Sequence, residues 1–278
     1  MTTAAEAMVA ATARLRAAGV PDPARDARIL LAHAAQVDAT RVTLIAPEDI
    51  APDIADRYDH LIALRAVRVP VSHLIGEREF YGRRFKVNAD VLDPRPETET
   101  LVEAALSDEF DRVLDLGIGS GCVLVTLLAE RPDARGVGVD LSEEACLQAS
   151  ANAVLHQVAA RAEIVQGDWF EPVEGRFDLI VSNPPYLSAF EMDEVSPELR
   201  DHEPRLALTD EGDGLSAYRV IADLAGSYLT AQGRVFCEIG WEQGDDVRSI
   251  FQDRGWGSIE VLPDLDGRDR VIVARNPA

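Results

Sequence analysis

Lysine is almost missing from this chain. Lys86 is the sole lysine among 27 cationic residues, and all the others are arginine. Cations of both kinds are outnumbered by 49 Asp and Glu, giving a formal net charge of −22 over 278 residues. Non-specific nucleic-acid binding works by neutralising phosphates with Lys and Arg, so this balance argues against it. It argues equally against docking on anionic membranes. A local basic patch stays compatible, because net charge describes the far field. Cysteine is scarce as well. Cys122, Cys146 and Cys237 are odd in number and far apart, which excludes a disulfide framework and a zinc-type spacing. No metal site is expected. No apolar run reaches the ~18 residues of a membrane span. The N-terminus carries Glu6 and lacks a basic start followed by an apolar stretch, so no signal peptide is expected. Internal repeats and low-complexity tracts are also lacking. These absences point to a cytoplasmic protein with no membrane partner.

What is present is a core. Apolar residues make up 47% of the chain, too many for disorder, and the length suits one or two domains. The charge is uneven. Residues 1–80 hold 9 Arg against 11 acidic residues, a net of −2, so the remaining −20 lies in residues 81–278.

The first 70 or so residues read as helices. An Ala/Leu/Arg-rich stretch over 4–19 stops at Gly19-Val20-Pro21, a second helix follows Asp22-Pro23, and a third opens at Pro52 and ends near Pro70. Residues 73–92 change character. Phe80, Tyr81, Phe85, Val87, Val91 and Leu92, placed around Gly82 and Asn88, suggest a β-hairpin linker. Strands and helices alternate from about residue 111 on. The pattern predicts strands over 112–116, 136–140, 162–165, 177–181 and 234–239, separated by helices, with a terminal strand pair at 258–262 and 270–274. Alternation of this kind implies a mostly parallel sheet covered on both faces. The predicted division is a helical bundle over 1–72, a hairpin linker over 73–95 and an α/β domain over 96–278.

The first strand of the α/β part runs into Gly117-Ile118-Gly119-Ser120-Gly121. Glycines at a strand-to-helix turn let a ligand approach the backbone. A dinucleotide fingerprint needs its third glycine at 122, where this chain has Cys122. The spacing Asp115-x-Gly117-x-Gly119-x-Gly121 instead resembles S-adenosylmethionine-dependent methyltransferases of the Rossmann-like class I. In such enzymes the loop packs against methionine and ribose. The next strand ends at Asp140, a carboxylate suited to two ribose hydroxyls. The third strand leads to Asp168-Trp169. The resemblance implies that the acid there meets the adenine amino group while the aromatic covers the ring.

The fourth strand ends in Asn183-Pro184-Pro185-Tyr186. Two prolines stiffen the backbone and remove two N–H donors. The Asn183 side-chain oxygen and the Pro184 carbonyl then form a fixed pair of acceptors, and Tyr186 offers a wall for a planar group. Two acceptors are what a planar –NH2 requires. Its lone pair is delocalised, so it must be oriented for in-line displacement and supported as positive charge grows on nitrogen. Asn183 and Pro184 are therefore the predicted catalytic residues. The tetrapeptide leaves open which –NH2 is methylated: the exocyclic amine of adenine in DNA or RNA, or the amide of glutamine.

Longer stretches narrow the choice. Val71 to Gly82, Leu92-Asp93-Pro94-Arg95-Pro96-Glu97-Thr98-Glu99, Glu203-Pro204-Arg205-Leu206-Ala207-Leu208, Asp213-Gly214-Leu215 with Tyr218-Arg219, and Glu238-Ile239-Gly240-Trp241-Glu242-Gln243 are all similar to HemK/PrmC-type peptide chain release factor glutamine methyltransferases. The resemblance spans nearly the whole chain. It implies an enzyme that methylates N5 of the glutamine in the Gly-Gly-Gln tip of class I release factors, with S-adenosyl-L-methionine as donor. It places cofactor contacts on Gly117, Ile118, Gly119, Ser120, Gly121, Asp140, Asp168, Trp169 and Asn183. It places substrate contacts on Asn183, Pro184, Pro185, Tyr186, Arg95 and Glu97. Asp93 and Ile118 depart from it mildly, where an apolar residue and Thr are more usual. The segment Arg95 to Glu99 reads either as closing over the methionine end of the cofactor or as a plain helix start with acids in its first turn. His73, His156 and His202 read as surface or packing residues. The acidic cluster Glu191, Asp193, Glu194, Glu198, Asp201 and Glu203 reads as a solvated loop or a contact for a basic partner. The helical domain is expected to help hold the release factor, and a monomer is expected. The competing function is an adenine-N6 methyltransferase on nucleic acid, which the −20 charge of residues 81–278 disfavours.

Overall fold

A computed structural model describes residues 2–275. Contacts divide the chain into two compact units: residues up to Glu77 together with Ser196–His202, and Arg78–Val195 together with Glu203 onward.

The first unit is helical. α1 (Ala4–Ala17) starts in a capping box, in which the Thr3 hydroxyl accepts from Glu6 N at 3.2 Å and the Glu6 carboxylate accepts from Thr3 N at 2.9 Å. α2 (Pro23–Ala35) has proline in its first turn, where a missing N–H costs nothing. α3 (Val42–Ile45) is a single turn that apolar spacing could not separate from a loop. α4 (Pro52–Ala66) and α5 (Val71–Ile75) follow. Leu15, Leu30, Leu31, Tyr58 and Ile62 form the centre of the core, and the Tyr58 hydroxyl donates to Ala27 O at 2.9 Å. The predicted hairpin therefore begins later than residue 73. Pro70 holds an extended conformation that lets α5 start, and Gly76, at φ +76°, ends it.

In the second unit, β1 (Glu77–Phe80) and β2 (Arg83–Lys86) make the hairpin, turned by Tyr81 and Gly82, both at positive φ. Then come α6 (Glu99–Leu106), β3 (Arg112–Leu116), α7 (Cys122–Glu130), β4 (Arg135–Asp140), α8 (Glu143–Leu155), β5 (Ala162–Gln166) and β6 (Phe177–Ser182). α9 (Pro197–His202) is the segment that belongs to the helical unit. α10 (Ser216–Tyr228), β7 (Leu229–Glu238), α11 (Gly244–Asp253), β8 (Ile259–Pro263) and β9 (Asp269–Arg275) complete the order. The seven strands lie as β5-β4-β3-β6-β7-β9-β8, parallel except for β9, which runs antiparallel to both neighbours. Alternation along each strand feeds two cores. Val113, Val181, Phe236 and Val273 enter one, and Leu114, Ile180, Cys237 and Ile272 the other. β7 starts earlier than predicted because its pairing with β6 shifts register between Phe177 and Leu179, which absorbs the polar residues after Leu229. Strand order reverses between β3 and β6, the place where open α/β sheets leave a crevice at their carboxyl ends. Among the described residues no helix is long and apolar enough to cross a membrane.

Candidate active site

The crevice at the ends of β3, β4 and β6 is a cavity lined by the glycine loop, by Asp140 to Ser142, by Gly167 to Trp169, and by Asn183 and Pro185. Gly117 and Gly119 sit at φ +72° and +53°, a region costly for any residue with a Cβ. A Cβ built on either would meet no atom within 4 Å, so the open side of the loop is room for a ligand. Ile118 turns the other way. Its Cδ1 lies 2.1 Å from where a Cβ on Gly138 would sit, so the larger residue at 118 is accommodated by the bare backbone at 138. Gly117 N and Ile118 N both donate to Val139 O at 2.9 Å, which pins the loop to β4.

Two acids frame the loop. Asp115, 2% exposed, accepts from Leu124 N at 3.2 Å in the first turn of α7. Burial pushes its carboxyl up to about 7, against that hydrogen bond. Asp140 accepts from Gly119 N through one oxygen at 2.8 Å and from Ser142 N through the other at 3.0 Å. Burial raises its carboxyl too, and these backbone donors oppose the rise. Each oxygen keeps a second lone pair for a hydroxyl donor. Trp169 has φ +47°, an uncommon conformation for a bulky side chain, at the end of the crevice beyond β5.

At the end of β6, the Ser182 hydroxyl donates to Leu116 O at 2.7 Å and locks the two central strand ends together. Asn183 Nδ2 donates to Thr98 Oγ1 at 3.2 Å. Asn183 Oδ1 is buried and has no hydrogen-bond partner in the protein. Tyr186 is held from two sides by one segment. Gln243 donates to Tyr186 O at 2.8 Å while accepting from Gly240 N at 2.9 Å, and the Tyr186 hydroxyl is directed at Glu238 at 3.5 Å. Both ends of the Glu238 to Gln243 segment thus grip the tetrapeptide. Burial drives the Glu238 carboxyl up to about 7 and keeps the Tyr186 hydroxyl protonated.

The remaining wall comes from Asp90 to Arg95 and from Pro204, Leu206 and Ala207. Glu203, 7% exposed, ties these stretches by accepting from Asp93 N at 3.2 Å and pairing with Arg95. Glu198 is likewise taken up, within the helical unit, by Arg65 at 2.9 Å and Arg68 at 2.5 Å. Two of the six acids read as a solvated loop or a contact for a basic partner are therefore internal ion-pair partners, because Arg95, Arg65 and Arg68 stand opposite them.

A family model described as "PrmC N-terminal domain" matches residues 6–76, and one described as "Methyltransferase small domain" matches residues 89–207. A release factor glutamine methyltransferase of Cereibacter sphaeroides is 53% identical over 275 residues, covering 99% of both chains. The chain belongs to the release factor glutamine methyltransferase family. The Agrobacterium fabrum member is 39% identical, covering 96% of each chain. A methyltransferase from Pyrococcus furiosus shares the fold, with a TM-score of 0.55 at 14% identity over 72% of this chain and 91% of that one. As a member of this family the chain is an enzyme, a methyltransferase, and uses a methyl donor.

In this family member the crevice brings together Gly117, Ile118, Gly119, Ser120, Asp140, Asp168, Trp169, Asn183, Pro185 and Arg95 as lining residues. Gly121 stands just behind, against Ala149 of α8. Pro184, Tyr186 and Glu97 do not line that cavity. Sequence reasoning missed Asn152, which is fully buried. It accepts from Lys86 N at 2.8 Å and donates to Ser120 O at 2.8 Å, fastening the hairpin to the glycine loop. A polar residue in the middle of an otherwise apolar helical face was the available signal. His156 packs on Phe85, with ring centroids 4.6 Å apart, and makes no contact with the crevice.

Proposed function

We propose that this enzyme transfers the methyl group of S-adenosylmethionine to N5 of the glutamine in the Gly-Gly-Gln tip of class I peptide chain release factors. The observation that carries the reading is Asn183 Oδ1, a buried acceptor that the protein leaves unpartnered. A buried acceptor without a donor costs about 1–3 kcal/mol, and an amide N–H of a substrate would supply one. The open glycine loop and the carboxylate of Asp140 suit the donor.

When bound, S-adenosylmethionine supplies a methyl group on a sulfonium centre, which leaves as a neutral thioether. Gly117, Ile118, Gly119 and Ser120 would face its methionine and ribose, with Gly121 setting the turn behind them, Asp140 would take the ribose hydroxyls, and Asp168 with Trp169 would hold the adenine. Asn183 Oδ1 and the Pro184 carbonyl accept the two N5 hydrogens. That grip aims the nitrogen lone pair and stabilises the positive charge growing on it. One N5 proton then passes to water and a neutral amide is restored. Pro185, Tyr186, Arg95 and Glu97 surround the glutamine, and the helical unit holds the body of the release factor. The reaction takes place in the cytoplasm.

The test is mass spectrometry of a recombinant class I release factor incubated with enzyme and donor. One added methyl on the tip glutamine is expected, with none after that glutamine is replaced. Asn183→Ala is expected to lose methyl transfer by about 100-fold or more while donor affinity falls far less. Labelling of RNA or DNA that spares release factors would overturn the reading in favour of an adenine methyltransferase.

A further inference from the structure

Among the described residues of the crevice wall, two side chains keep a buried oxygen that no group of the protein meets: Asn183 Oδ1 and Asp93 Oδ1. The first is assigned above to the acceptor amide. We propose that the second, Asp93 Oδ1, binds the α-ammonium of the methyl donor and so selects ligands that carry an intact amino-acid end. The proposal rests on the reading that S-adenosylmethionine is the donor.

Asp93 is 4% exposed, and the protein satisfies little of its carboxylate. Its Oδ2 faces Arg78 Nε at 3.8 Å, the loose end of ion-pair range, while the same Nε donates to Pro94 O at 3.1 Å. A carboxylate can accept at both oxygens, so one distant and shared donor leaves it short. A buried charged group short of donors costs more than a neutral one. Glu203, in contact with the same stretch, shows what a purely structural acid looks like. One of its oxygens accepts from Asp93 N at 3.2 Å, and the other pairs with Arg95. The stretch that carries Asp93 also crosses the crevice. Val91 packs with Ala145 in the first turn of α8, and Thr98 Oγ1 accepts from Asn183 Nδ2 at the end of β6. Asp93 lies between these two points in the chain and lines the cavity. With the ribose on Asp140 at the end of β4 and the reacting methyl at Asn183, Asp93 comes level with the part of the donor that follows the ribose.

Chemistry chooses the group. A carboxylate needs an N–H or O–H donor, and the sulfonium has neither. The ribose hydroxyls go to Asp140, the adenine amino group to Asp168, and both N5 hydrogens of the glutamine to Asn183 and Pro184. The α-ammonium remains, with three hydrogens and a full positive charge. A hydrogen bond between two charged groups is about twice as strong as one between neutral groups. Asp115 is the rival acid, since it also lines the crevice, with one oxygen accepting from Leu124 N at 3.2 Å. It therefore serves as the comparison in the test.

The experiment is calorimetric titration of the full chain with three ligands. They are S-adenosylhomocysteine, its analogue lacking only the α-amino group, and methylthioadenosine, which lacks the whole amino-acid end. Wild type, Asp93→Asn and Asp115→Asn are compared. Asp93→Asn keeps the shape of the side chain and removes its charge. It is expected to weaken S-adenosylhomocysteine by roughly 10- to 100-fold, the scale of a hydrogen bond to a charged group. Its affinity for the other two ligands is expected to stay within about threefold of wild type, which also shows that the crevice is still formed. Wild type is expected to bind S-adenosylhomocysteine at least about tenfold more tightly than the deaminated analogue, a comparison that needs no variant. Equal affinity of wild type for those two would overturn the proposal. A loss in Asp93→Asn that is the same for all three ligands would overturn it too, because Asp93 would then only shape the wall. A selective loss in Asp115→Asn beside none in Asp93→Asn would overturn it by moving the ammonium to Asp115. Failure of wild type to bind any of the three would instead remove the donor reading on which the proposal stands.

Discussion

Asp115 shows how a single residue trades stability for a shaped site. Its carboxyl is buried beneath the glycine loop, and one backbone donor at 3.2 Å does not offset the lost hydration. The group titrates at about 7 against an ordinary 3.8. A raised acid binds its proton more tightly in the folded chain than in the unfolded one. Its contribution to stability is therefore full below about pH 3.8 and is lost as pH rises through about 7. Asp115→Asn carries no such loss. Urea unfolding of both proteins across pH 4 to 8 is expected to show the variant gaining on wild type up to about pH 7, then running parallel to it. A constant difference over the whole range would mean that Asp115 is ionised and well solvated. The sequence marked this position through the D-x-G-x-G-x-G spacing. It could not show the burial, which depends on α7 lying across the end of β3.

At the scale of elements, the loop after Tyr186 is divided between the two units. α9 belongs to the helical unit, and the next residue, Glu203, belongs to the α/β unit. Arg65 and Arg68 together secure α9 through Glu198, and Arg65 is the more buried of the two. Its side chain is 7% exposed and pairs with Asp26 at 2.7 Å and Glu198 at 2.9 Å. Removing one partner of a buried ion pair strands the other charges, at a cost of about 3–5 kcal/mol. Arg65→Ala is expected to lower unfolding stability by that amount, whereas Arg16→Ala, at an exposed position on α1, is expected to change it by less than about 0.5 kcal/mol. Similar small effects for both would show that the Arg65 pairs are as weak as surface ones. Periodicity placed the long helices and all seven strands of the main sheet. It missed α3, α5 and α9, which are too short to show a helical stripe. The acidic cluster left Glu198 open between a solvated loop and a contact for a basic partner, because its cationic partners within the chain lie 130 and 133 residues earlier.

For the whole molecule, charge is the organising quantity. The net of −22 makes a polyanion an unfavourable partner at long range. Anisotropy titrations with a ~20-base-pair duplex and a folded RNA at about 0.15 M salt are expected to show no binding tighter than about 10⁻⁴ M. Micromolar binding with a steep salt dependence would reveal a basic surface that the net charge conceals.

The sequence by itself determined what short stretches of chain decide. Glycine at 117, 119 and 121 permits a left-handed loop, Pro184-Pro185 stiffens a strand end, and the βα alternation yields a mostly parallel sheet with a terminal strand pair. These follow from backbone sterics and hydrophobic period, which act over a few residues. Tertiary structure alone decided which side chains meet. Asn183 reaches Thr98 across 85 residues, and Glu203 reaches Asp93 across 110. The first meeting exists because the fold puts the start of α6 beside the end of β6, the second because the stretch after α9 returns to the one before α6. The sequence named the Asn183 amide; the fold brought up the Thr98 hydroxyl that its –NH2 end meets.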